Sequence, residues 1–179
     1  MRRSRFSGPL LSEHPAEVDS RLVPGHWEGG FVCGAFNRPA MTTLVERTSS
    51  MLLLVHLNGK HDAATVRERV GQAMSVLPPH LRKSLTWDQG SKMAEYLQVR
   101  EETTIPVYFC DPHSPWQQGS DKNTNGFIRQ YSSKGTNLNL HTPERLAEVA
   151  AKINARPQES RNWEPTQTHF DWLTETVHL

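Results

Sequence analysis

WEGGFVCGAFNRPAMTTLVERTSSMLLLVHL, residues 27–57, carries three short β-forming runs, WEGGFVCG, MTTLVER and MLLLVHL, before any helical periodicity begins. Arg47-Thr48-Ser49-Ser50 is a tight link between the last two, so the three read as consecutive antiparallel strands. Downstream, Asp62 can cap a helix whose apolar residues Val66, Val70, Ala73, Met74 and Leu77 share one stripe, and Pro78-Pro79 stops it. Leu85-Thr86-Trp87-Asp88 reads as a short buried strand, Gly90 as a turn, Lys92 to about Thr103 as a helix, and Pro106 to Cys110 as another buried strand. The loop DPHSPWQQGS then passes into a helix running to about Tyr131. Thr142 caps a last helix, with Pro143 in its first turn and Leu146, Val149, Ala150 and Ile153 as its apolar stripe. A meander of three strands followed by β-α-β connections requires both antiparallel and parallel neighbours. The expected class is α/β, with a mixed five-stranded sheet covered by helices.

At 179 residues, 36% of them hydrophobic and 22% charged, the chain has the size and composition of one domain with a single core. Its net charge of +1 provides no global basic field, so any contact with nucleic acid must rest on local patches. The two cysteines, Cys33 and Cys110, are too few for a disulfide framework, and no apolar run is long enough to cross a bilayer. Residues 1–24, with Arg2, Arg3, Arg5 and no sustained periodicity, read as an amino-terminal arm.

Asp88 ends a buried strand and precedes a glycine turn, a location from which a carboxylate reaches the cleft at the carboxyl ends of parallel strands. Alone it reads equally well as a turn residue. A phosphoryl-transfer site with two Mg²⁺ ions needs further carboxylates from other elements. Cys110-x-x-His113 has the spacing of half a zinc site but lacks four ligands, and the Gly25–Gly30 cluster lacks the ending of a phosphate-binding loop.

GHWEGG at 25–30, LVERTS at 44–49, LPPHLRKSLTWDQG at 77–90 and VYFCDPHSPWQQGSDKNTNGFIRQY at 107–131 together resemble the catalytic core of bacterial transposases of the insertion-sequence-thirty family. The resemblance runs from about Pro15 to about Trp163 and implies an RNase H-like, retroviral-integrase-like fold with helices on both faces of the sheet. It divides the chain into the arm 1–24, a core 25–163 and a divergent tail 164–179. It also implies metal-dependent DNA cleavage and strand transfer by a triad of acids on Mg²⁺ (or Mn²⁺). Its partners would be DNA (element ends and target) and further copies of the chain. No membrane and no small-molecule substrate is implied, and the setting would be a bacterial cytoplasm, at the nucleoid.

Asp88 in TWDQG matches the middle acid and is the one metal ligand retained. Gly30 stands where the family pattern has the first acid, and Lys122, 34 residues after Asp88, stands at the third. Glu28, on the same strand face as Gly30, and Asp121, one helical step before Lys122, are the candidate substitutes. Lys122, Asn123, Asn125, Arg129 and Lys134 are the candidate DNA contacts, with Arg82 and Lys83 as further basic positions. Trp27, Trp87 and Trp116 read as packing residues. The losses at 30 and 122 point to an impaired enzyme. The alternative is a non-catalytic DNA-binding or oligomerising remnant that interferes with intact relatives.

Overall fold

The structure is a computed structural model that describes residues 9–33, 39–60, 62–87, 96–111, 126–131, 141–159 and 162–176. After a short 3₁₀ turn at Leu11–Glu13 and helix α1 (Glu17–Ser20) come strands β1 (His26–Cys33), β2 (Pro39–Glu46) and β3 (Leu52–His56). Helix α2 (Ala63–Ser75), strand β4 (Ser84–Trp87), helix α3 (Tyr96–Thr103) and strand β5 (Val107–Phe109) follow. Residues 126–131 are helical and are labelled α4. Helix α5 (Pro143–Asn154), a two-residue hairpin of β6 (Pro157–Gln158) and β7 (Glu164–Pro165), and helix α6 (Thr166–Thr176) complete the described order.

Five strands form one sheet in the order β3-β2-β1-β4-β5. β1 with β2 and β2 with β3 are antiparallel, whereas β1 with β4 and β4 with β5 are parallel. This is the mixed sheet expected from the meander and the two crossovers. The caps are those read from sequence: Asp62 accepts from the Thr65 amide at 2.9 Å, and Thr142 accepts from the Arg145 amide at 3.2 Å.

Alternation along the strands sorts the core into two layers. Trp27, Leu44, Val55, Leu85, Trp87, Val107 and Phe109 face α2, α3 and Phe170 of α6. Val32, Met41, Val45 and Leu52 face Ile128 of α4 and Leu146, Val149 and Ile153 of α5. Trp27 and Trp87 are wholly buried, in agreement with their reading as packing residues. At Gly29 a Cβ would come within 2.1 Å of the Trp87 ring, so only glycine lets that indole lie across β1. Phe31 meets the same ring edge-on at 5.3 Å.

Two segments carry structure that periodicity did not announce. Residues 9–24 pack onto the sheet: the Phe109 amide donates to the Pro9 carbonyl at 2.9 Å, Leu10 bridges Phe109 in parallel, and Val18 is 1% exposed. Beyond Trp163, α6 places Phe170 against Trp27 with ring centroids 6.1 Å apart. No helix among the described residues is long and apolar enough to cross a membrane.

Candidate functional site

The parallel ladder between β1 and β4 runs from His26↔Ser84 through Glu28↔Thr86 to Gly29↔Trp87. Gly30 is therefore the next residue of β1 at the carboxyl end of the ladder, and Asp88 is the residue that follows Trp87 in the chain. Gly30 is buried, pairs with Thr43 of β2, and its carbonyl accepts from Thr43 Oγ1 at 3.3 Å. Its φ is not in the left-handed region, so nothing in its backbone demands a glycine. Asp88, Asp121, Lys122, Asn123, Asn125 and Lys134 lie outside the described residues. Arg129 is exposed on α4.

Glu28 shares the Gly30 face of β1, as alternation requires, and its side chain is 0% exposed. Its carboxylate is already engaged: Arg47 Nη1 lies 2.9 Å from Oε1 and Arg21 Nη2 lies 3.5 Å from it. Burial pushes the Arg47 guanidinium down from its ordinary value, and the neighbouring Glu28 opposes that shift. A buried carboxylate facing two guanidiniums is a charge-compensated structural group. To ligate a cation it would have to give up those partners.

The two motifs around Glu28 prove to be partners of one another. The Glu46 carboxylate accepts from the Gly25 amide at 3.0 Å and from the Ser49 hydroxyl at 2.6 Å. The Arg47 amide donates to the His26 carbonyl at 2.8 Å, and Trp27 Nε1 donates to the Leu81 carbonyl at 2.8 Å. His26, 3% exposed, bridges Ser84 Oγ at 2.7 Å and Glu17 Oε1 of α1 at 3.2 Å. Burial holds its imidazole below the ordinary histidine value, with the Glu17 hydrogen bond opposing. GHWEGG and LVERTS thus fasten β1 to β2, β4 and α1 at the end of the parallel strands away from Gly30. Arg47 and Arg21 escaped the sequence reading. The signal for Arg47 was its place beside Glu46 in a quoted motif; Arg21 offered none.

A two-ion site needs several converging carboxylates. Among the described residues no group of three or more His, Cys, Asp or Glu side chains could hold a metal ion. Gly30 offers no side-chain ligand, and the nearest acid on its face is committed to arginine. Gly30 and Glu28, as the structure places them, do not fit a metal pair.

The integrase core domain model matches residues 21–115. The chain is 46% identical over 156 residues to the transposase for insertion sequence element IS1086 of Cupriavidus metallidurans, an alignment covering 86% of this chain and 46% of that one. It is 44% identical over 154 residues to transposase InsI for insertion sequence element IS30A of Escherichia coli, covering 86% and 40% respectively. The chain thus spans less than half the length of these curated relatives. The crystal structure of the catalytic core domain of BIV integrase superposes with a TM-score of 0.64 at 12% identity, covering 87% of this chain and 99% of that one. The likeness confirms the RNase H-like sheet and helices expected from the sequence. The chain belongs to the integrase core domain family.

Proposed function

We propose that this chain is the catalytic-core unit of a DNA transposase in which the metal-binding triad is dismantled, so that it folds and meets DNA but does not cut it. The observation that carries the reading is Gly30: the residue at the carboxyl end of the β1–β4 ladder, beside the strand that leads to Asp88, has no side chain to offer a metal. Lys122 adds a cation where the family pattern has the third acid. In relatives with all three acids, a divalent pair, Mg²⁺ or Mn²⁺, would activate the attacking oxygen and stabilise charge on the phosphorus. This chain keeps one of the three ligands.

What remains is a scaffold for nucleic acid. Lys122, Asn123, Asn125, Arg129 and Lys134 supply cations and amides to phosphate oxygens in a chain with only one net positive charge, so binding is local and salt-dependent. The partners of this reading are DNA, as element ends or target, and further copies of the same chain. The setting is a bacterial cytoplasm, at the nucleoid.

The test is nicking of supercoiled plasmid with Mg²⁺ or Mn²⁺. The unmodified chain should be inactive, and the double variant Gly30→Asp/Lys122→Glu should nick and lose nicking again on adding Asp88→Ala. Nicking by the unmodified chain that Asp88→Ala abolishes would overturn the dismantled triad and return Glu28 or Asp121 to candidacy. A double variant that stays inert while binding DNA would favour the remnant over the repairable enzyme.

A further inference from the structure

We propose that Arg156 is a positioning residue that sets how α4, which carries the candidate DNA contact Arg129, lies against the sheet. The inference deepens the catalytic-core reading and rests on it for its functional meaning. Within its described residues, 126–131, α4 meets the α5 layer through two side chains. Among these residues Ile128 is buried, at 1% exposure, within the layer formed by Val149 and Ile153 of α5, and the half-buried Tyr131 packs against the same layer. Apolar contact is non-directional, so such anchors fix the height of the helix above its neighbour more firmly than its rotation about its axis.

Arg156 closes that freedom. It follows α5 by two residues, and its own amide donates to the Ile153 carbonyl at 3.1 Å, so its backbone belongs to the end of that helix. Its guanidinium carbon lies 5.4 Å from the ring centroids of both Phe127 and Tyr131, which share one face of α4 at i and i+4. Nη1 donates to Gln130 Oε1 at 3.1 Å and Nη2 donates to the Tyr131 hydroxyl at 2.9 Å. One planar cation thus contacts three side chains on successive turns, a task that suits the rigid guanidinium fork and not the single point of a lysine ammonium. Phe127, 39% exposed, is left at the surface as one wall of this clamp.

The experiment compares the full chain with Arg156→Ala and Arg156→Lys by amide hydrogen exchange. It adds spin-label distances between residues 129 and 68, with Arg129 and Glu68 replaced by labelled cysteines on a Cys33→Ser background. In Arg156→Ala the amides of 126–131 should exchange about tenfold faster. Those of β1, β2 and α5 should stay protected, and the 129-to-68 distance distribution should broaden. Arg156→Lys should recover only part of both effects. Unchanged α4 exchange, an unchanged distance distribution, full rescue by lysine, or loss of protection throughout the chain would each overturn the proposal. Neither readout requires activity, so failure of the catalytic-core reading shows separately in the nicking assay.

Discussion

Glu28 decides at the level of single residues between two roles for a carboxylate beside the cleft. As a substitute metal ligand it could be removed with little loss of stability, because a ligand without its metal carries a desolvated charge for no return. As the counter-charge of Arg47, which is 6% exposed, it cannot. Glu28→Ala should lower unfolding free energy by about 3–5 kcal/mol, the usual consequence of leaving a buried charge uncompensated. Urea unfolding reads it directly. Glu28→Ala/Arg47→Met should unfold at higher urea than the single change, because the orphaned charge has gone with its partner. A single variant as stable as the parent would release the carboxylate for other work. Sequence showed that Glu28 and Gly30 share a face, since strand alternation is local. It could not show that an arginine 19 residues away is its buried counter-charge.

At the level of elements, β3 is the outer strand on one side of the sheet, and such an edge presents unpaired backbone groups. α5 covers it with one side chain. Asn154 Oδ1 accepts from the Leu52 amide at 3.0 Å, and its Nδ2 donates to the Leu52 carbonyl at 2.9 Å, so the amide imitates one rung of a missing strand. Both residues are almost fully buried. Asn154→Leu should cost about 1–3 kcal/mol for each of the two orphaned backbone groups, visible as a lower thermal midpoint. An unchanged midpoint would mean water reaches Leu52. The amphipathic stripe of α5 was legible because four apolar residues recur at helical spacing. Asn154 was not, because its value lies in a strand 102 positions earlier.

For the whole molecule, the arm and the carboxyl-terminal helix decide how much of the chain the core includes. Phe170, 7% exposed, packs into the same layer as Trp27 and Leu85 from a segment where family resemblance had faded. Phe170→Ala should destabilise the chain by about 3–5 kcal/mol, as large-to-small changes in a core do, and calorimetry should show one transition at a lower midpoint. A variant with an unchanged midpoint would separate α6 from the core. The arm docks differently, through Glu17 on His26, Arg21 on Glu28 and a single backbone rung on β5. Its α1 has four residues, too short for any helical period to be read.

The sequence by itself determined the strand meander, the mixed sheet, the capped helices α2 and α5, the family, and the absence of an acid at positions 30 and 122. All of these are properties of local spacing or of residue identity at a position. Only the tertiary structure decided that GHWEGG and LVERTS are joined to each other at the base of the sheet, that Glu28 is held by arginine, that Arg156 grips α4, and that Phe170 belongs to the core. Those facts depend on contacts between residues distant in the chain, and a buried charge or an aromatic anchor has no periodicity to betray its partner.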